Sequence, residues 1–192
     1  MTVFIKKHFF TAVWIILLGI VLFIPDAKAF LLKTFLYTGI FNASAKKEAI
    51  VIKAGTFTNF SFAGQNGSTL SLSDLKGKCV FINFWATWCP PCMAEMGAVN
   101  ALYNKLKNDS RFVFIIADAD NNFPLALSFM KKNNYNLPVY GIASPVPQNI
   151  FTGTLPTTLI IDVDGNIVQK HEGIANYNTG AMLEFLKGLA GH

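Results

Sequence analysis

The sequence predicts an α/β protein in which a sheet of buried strands carries helices on both faces, and three observations lead there. Continuous apolar runs at 80–84 and 112–117 alternate with stretches whose apolar residues recur every three or four positions. The first run leads into Trp88-Cys89-Pro90-Pro91-Cys92 and then a helix-like stretch, the strand, Cys-x-x-Cys, helix order of a redox dithiol. The chain also opens with an uncharged apolar segment, Phe9 to Ile24, that does not belong to the sheet.

Taken in order, residues 1–8 carry Lys6, Lys7 and His8 and read as a cytoplasmic N-terminus, because lysines before an apolar run prefer that side. Residues 9–24 reach roughly 24 Å as a helix. That is slightly short for a span and slightly long for the apolar region of a signal peptide. Ala27-Lys28-Ala29 resembles a small-x-small cleavage site, so a removable signal peptide stands as the alternative. The segment after it, 30–37, stays apolar with one lysine and suits an interfacial helix beside a retained anchor. The expected organisation is therefore a transmembrane anchor at 9–24, a juxtamembrane segment and linker at 25–48, and a catalytic domain at 49–192. Either reading of the first segment exports that domain.

Within the domain, 60–62 and 69–72 alternate apolar and polar residues around a Gly64–Gly67 turn, an opening hairpin. A polar turn at 74–78 precedes the buried strand at 80–84. Met96, Val99, Tyr103 and Leu106 mark a helix over 92–107. A second buried strand follows at 112–117, a helix at 123–132, a short strand at 138–142 and a proline-punctuated loop at 144–147. Strands at 157–162 and 166–170 flank Val163-Asp164-Gly165, a hairpin turn. A closing helix at 178–190 has Asn178 as its candidate N-cap.

The formal charge of +5 is not a nucleic-acid footprint. The first 43 residues hold four of the sixteen Lys+Arg and one of the eleven Asp+Glu, and the remainder has no basic stripe. No nucleic-acid partner is expected.

The cysteine spacing has a physical meaning. A sulfur at the N-cap edge of a helix faces unpaired N–H groups and the positive end of the helix dipole, which favour thiolate over thiol. That makes Cys89 the candidate nucleophile and Cys92, one turn in, the resolving cysteine. Pro90 and Pro91 are tolerated in a first helical turn, yet neither can donate an N–H to the Cys89 sulfur. A less stabilised thiolate implies a reducing couple. Zinc would need four ligands, and beyond the pair the chain has only Cys79 and the scattered His8, His171 and His192, so no metal site is expected. A purely structural disulfide closing so short a loop removes little chain entropy. Cys79 opens the apolar run at 79–84 and reads as a small core residue, with a regulatory thiol as the alternative.

With WATWCPPC, Leu155-Pro156-Thr157-Thr158 and IDVDGNIV in place, the chain resembles the thioredoxin superfamily over roughly 50–192. More narrowly it resembles the exported TlpA/ResA-like thiol–disulfide oxidoreductases. The resemblance implies a thioredoxin-like fold: a central mixed sheet flanked by helices, an N-terminal hairpin and an inserted strand–helix element before Pro156. It implies a redox-active Cys89–Cys92 disulfide, Cys89 attacking, Cys92 resolving, and Pro156 as a cis-proline that helps hold an extended substrate segment. Trp88 would shield the sulfurs and Trp85 would pack beneath them. Glu95, one helical turn after Cys92, would assist proton handling, or would simply be a glutamate suited to a first turn. Asn83 stands where cytoplasmic thioredoxins carry a buried aspartate, and Met93 and Gly97 stand where a basic residue and a kink-forming proline are common.

The implied function is that of a protein-disulfide reductase, single-pass in the inner membrane with its catalytic domain on the periplasmic side. Its partners would be the lipid bilayer, a membrane electron donor, and protein thiols or disulfides such as apocytochrome cysteines in cytochrome c biogenesis. No cofactor is implied. Two other functions compete. A peroxiredoxin-like peroxidase would use a lone Thr-x-x-Cys nucleophile where this chain has a pair, and a copper-binding or sensor domain would usually add a histidine near the thiolates.

Overall fold

The computed structural model describes residues 2–36, 38–39, 41–46 and 60–191. Part of the expected linker and the first residues of the catalytic domain, 47–59, lie outside the described residues. Two helices open the chain, α1 (Thr2–Phe23) and α2 (Pro25–Leu36). They break at Ile24, with Pro25 starting α2 where its missing N–H has no partner to lose. No helix among the described residues is long and apolar enough to cross a membrane.

The catalytic unit then runs β1 (Ser61–Gly64), β2 (Thr69–Ser71), a 3₁₀ turn (Leu72–Leu75), β3 (Cys79–Trp85), α3 (Pro90–Leu106), β4 (Phe112–Asp118), α4 (Phe123–Lys132), β5 (Val139–Ile142), β6 (Thr157–Ile161), β7 (Ile167–Glu172) and α5 (Gly180–Leu189). The seven strands form one sheet in the order β2-β1-β5-β4-β3-β6-β7. β3 lies inside the sheet, parallel to β4 and antiparallel to β6. Every residue of β3 is buried, as a continuous apolar run in a covered sheet requires. The expected opening hairpin is β1–β2, and it lies at one edge, where β1 runs antiparallel to β5. The α4–β5 unit occupies the place expected for the insertion. The mixed sheet and its flanking helices are those of a thioredoxin-like fold.

The two faces are covered differently, which corrects the expectation of helices on both. Phe81 and Trp85 of β3 point to a core shared with Met96, Val99 and Leu102 of α3, Ala126 and Met130 of α4, and Met182 and Leu186 of α5. Val80, Ile82 and Phe84 point the other way, as period-two alternation demands. That second core is closed by Phe60 and Phe62, by Leu75 of the 3₁₀ turn and by the loop residues Ile150 and Phe151. Phe84 stacks on Phe151 at 4.3 Å between centroids. The sequence marks the loop at 144–154 only by its prolines, because isolated apolar residues have no periodicity to reveal a packing role.

Two further boundaries differ from expectation. The polar turn before β3 begins as the 3₁₀ turn, where Asp74 accepts from the Ser71 N–H. The N-cap of α5 is Thr179, whose Oγ1 accepts from Met182 N at 3.1 Å, while Asn178 Oδ1 accepts from Lys105 Nζ.

The described part of the stretch expected as juxtamembrane segment and linker is docked on the domain. Ala29 of α2 packs with Met93 and Ala94 of α3, beside Leu32, Phe129 and Ile174, and Leu36 is fully buried. Farther on, Asn42 forms a parallel bridge with Asn176. The opposite side of α2 stays in solvent with Phe30, Leu31 and Phe35 exposed.

Candidate active site

The site grows from the end of β3. The strand ends at Trp85, at the C-terminal end of β3, the chain turns through Ala86, and Cys89 caps α3 with extended backbone. Pro90 and Pro91 fill the first helical positions, so the first N–H able to reach the sulfur is that of Cys92, and it donates to Cys89 Sγ at 3.3 Å. Cys89 and Cys92 are joined as a disulfide with Cα atoms 5.2 Å apart. Cys92 is fully buried while Cys89 keeps a sliver of surface, 4%. The Leu155–Pro156 peptide is cis, and β6, which it introduces, lies antiparallel to β3.

Glu95 is fully buried one turn beyond Cys92. Its Oε1 accepts from Asn83 Nδ2 at 2.8 Å, and its Oε2 accepts from the Ala175 N–H at 3.0 Å. The same Asn83 amide donates to Thr158 Oγ1 at 2.9 Å. Burial pushes the Glu95 carboxyl up to about 8, with the Ala175 and Asn83 hydrogen bonds opposing it. A carboxyl that changes charge near neutral pH beside a dithiol is equipped to take up and return a thiol proton.

Trp88 stands out from the surface, 61% exposed, and its Nε1 donates to Asp120 Oδ2 at 2.6 Å. Trp85 is fully buried against Phe129, centroids 5.2 Å apart. Cys79 opens β3 in the core, and burial followed by the charge of Asp162 pushes its thiol up to about 12. The structure therefore brings Cys89, Cys92, Glu95 and Asn83 together, with Trp88 at the rim and Cys79 set apart. Two participants were not legible in the sequence. Asp120 lies in the loop after β4, at the strand end where such sheets place their chemistry, and that position was the available signal. The Ala175 N–H is a backbone group and leaves no mark in the sequence.

A family model described as Redoxin matches residues 53–182. The chain belongs to the Redoxin family. Thiol-disulfide oxidoreductase ResA of Bacillus cereus is 40% identical to it over 137 residues, covering 70% of this chain and 76% of that protein. A solved structure of a thiol:disulfide interchange protein of the thioredoxin family from Chlorobium tepidum TLS is similar at 26% identity and a TM-score of 0.55, over 69% of this chain and 94% of that one. A structure of a thiol-disulfide oxidoreductase from Bacteroides vulgatus shares the fold, with a TM-score of 0.60 at 23% identity over 74% and 99% of the two chains. This redoxin is thus a thiol–disulfide oxidoreductase of the ResA type within the thioredoxin superfamily, with Cys89 and Cys92 as a close, disulfide-bonded pair.

Proposed function

We propose that this redoxin reduces protein disulfides outside the cytoplasm, held at the membrane by its N-terminal helices. The observation that carries the reading is the asymmetry of the pair: Cys89 alone keeps exposure, at a helix N-cap, while Cys92 is sealed behind it. In the reduced protein the Cys89 thiolate attacks a substrate disulfide and forms a mixed disulfide, releasing one substrate thiolate, which takes up a proton. Cys92 then gives its proton to Glu95 and attacks Cys89 Sγ. The second substrate sulfur leaves as a thiolate and is protonated, and the Cys89–Cys92 disulfide forms. Two electrons have moved to the substrate, and a membrane dithiol donor must return them. By the family resemblance cis-Pro156 would hold the extended substrate segment, and Trp88, at the rim, would cover the sulfurs.

Reducing direction is supported by Pro90 and Pro91, which leave the Cys89 sulfur with the Cys92 N–H as its one hydrogen bond among the described residues. A weakly stabilised thiolate makes a poor oxidant. Membrane attachment is supported by α1, whose Phe9, Phe10, Trp14, Ile15, Ile16, Leu18 and Phe23 all stand exposed and need an apolar surface to cover them. A bilayer reached across Lys6 and Lys7 is that surface. By its chemistry the substrate would be an extended cysteine-containing segment, an apocytochrome among the candidates.

The deciding experiment is the reduction potential of the Cys89–Cys92 couple in the detergent-solubilised chain. A value near about −270 mV supports a dedicated reductant, and one near about −120 mV makes it an oxidant and removes the argument from the prolines. Cys92→Ser is expected to accumulate a mixed disulfide through Cys89, whose partner mass identifies the substrate.

A further inference from the structure

Residues 174–177 lie in the connector from β7 to α5, residues 173–179, and belong to no strand, yet they are held from two sides. On the inner side Ala175 N donates to Glu95 Oε2 at 3.0 Å. On the outer side the next residue is gripped by the N-terminal segment: Asn176 N donates to Phe41 O at 2.6 Å, and Ala43 N donates to Asn176 O at 3.1 Å. The side chains repeat the contact, with Asn176 Nδ2 donating to Asn42 Oδ1 at 3.2 Å. Buried Gln169 of β7 adds a further tie through its Nε2 to Ser44 O at 2.7 Å. In extended chain, successive side groups and backbone donors face opposite ways, so a bond made outward at 176 orients the donor at 175 inward.

We propose that residues 41–44 are a positioning clamp for the dithiol site, in which Asn42 and Asn176 hold the Ala175 N–H on Glu95. This inference rests on the reading of Glu95 as the proton carrier. The connector begins at Gly173, whose φ of +101° lies in the region that favours glycine, and nothing within 4 Å would brace a Cβ there. Its path is therefore set by its neighbours on both sides. The clamp also follows α2, which packs Ala29 onto Met93 and Ala94 directly after Cys92. The N-terminal appendage thus meets the site twice, once on the helix that carries the cysteines and once behind the carboxylate.

A loosened clamp has a signed consequence. The Ala175 hydrogen bond favours the charged carboxylate, so losing it leaves burial less opposed and Glu95 keeps its proton to higher pH. Among the described residues, the elements packed around Glu95 carry few groups that titrate or hold charge. α3 itself contributes Cys89 and Cys92, the connector contributes Tyr177, β3 and β6 present the neutral Asn83 and Thr158, β7 sets His171 opposite Thr158, and α2, farther out against Met93, carries Lys33 and Asp26, the latter paired with Lys132.

The test is the pH dependence of Cys89 alkylation by iodoacetamide in the reduced full-length protein in detergent, followed on both sides of pH 8. Glu95→Gln identifies the inflection that belongs to the carboxyl by removing it. Asn42→Ala deletes the side-chain bond, and Ala43→Pro deletes the N–H given to Asn176. The inflection is expected to rise by about half a unit or more in Ala43→Pro and by less in Asn42→Ala. In the same order the Ala175 amide exchanges faster with deuterium, and Lys187→Ala on α5 changes neither. An inflection that stays in place in the folded variants overturns the clamp and leaves the reading of Glu95 intact, with Asn42→Ala deciding if Ala43→Pro does not fold. An inflection that survives Glu95→Gln overturns the reading of Glu95 and the clamp with it.

Discussion

Asn83 Nδ2 lies 2.8 Å from Glu95 Oε1 and 2.9 Å from Thr158 Oγ1, so one amide on β3 joins the cysteine-bearing helix to the strand after cis-Pro156. An amide can position a carboxyl but cannot exchange a proton with it. Of these three side chains only Glu95 titrates, and its burial lets it do so near neutral pH. In the proposed mechanism the helical glutamate takes the part that an aspartate on the strand could play, and Asn83 supports it through its amide.

Glu95→Gln keeps the shape and the Asn83 contact but removes the proton. Disulfide reduction by the variant is expected to fall by about a hundredfold, the lower end of what a general acid or base contributes. The measurement is single-turnover reduction of a peptide disulfide at pH 7. An undiminished rate would leave Glu95 as a structural residue only.

The same carboxyl makes stability fall as pH rises. Its pKa is about 8 in the folded chain against an ordinary 4.5, so between those values the folded state holds a proton that the unfolded state has released. Stability is greatest below the lower value, declines through the interval and levels off above the upper one, a total on the order of a few kcal/mol. Urea unfolding of the oxidised protein at pH 5 and at pH 8.5 reads this difference, and Glu95→Gln should flatten it.

Cys79 should be inert in the folded protein. With its thiol pushed up to about 12, only about one molecule in ten thousand carries the thiolate at pH 8. The oxidised native chain is expected to show no fast-reacting thiol toward a disulfide reagent, and one after unfolding. Rapid native labelling would revive a regulatory role for Cys79.

Asp120 fixes the exposed indole of Trp88. Asp120→Ala is expected to lower kcat/KM for a protein disulfide by about threefold to tenfold, the worth of one partly solvated hydrogen bond. Reduction of a small disulfide such as oxidised glutathione should change much less, because it does not need the rim. Equal losses on both substrates would show that the pair acts on the cysteines and not on substrate docking.

Much of this molecule is written locally. The run at 80–84 is apolar but for Asn83 because both faces of β3 are covered, and that pattern needs no tertiary knowledge to be read. The two cysteines three positions apart, with prolines where a helix tolerates them, placed the dithiol at a helix N-terminus. The Val163-Asp164-Gly165 turn was equally plain, since Gly165 sits at φ +86° and Asp162 gathers the turn's N–H groups.

What the tertiary structure alone decided concerns groups far apart in the chain. Glu95 by spacing could have been a helix-dipole glutamate, and only its enclosure by β3, β6 and the connector at 175 raised it into the range of proton exchange. Residues 42–44 carry the composition of a linker, yet the backbone of 41–43 lies against Asn176, and backbone hydrogen bonding has no signature in side-chain identity. Local propensity and periodicity determine elements and the dithiol they present. Solvent exclusion and hydrogen bonds across long sequence separations determine what the buried carboxyl can do, and those exist only once the chain has folded.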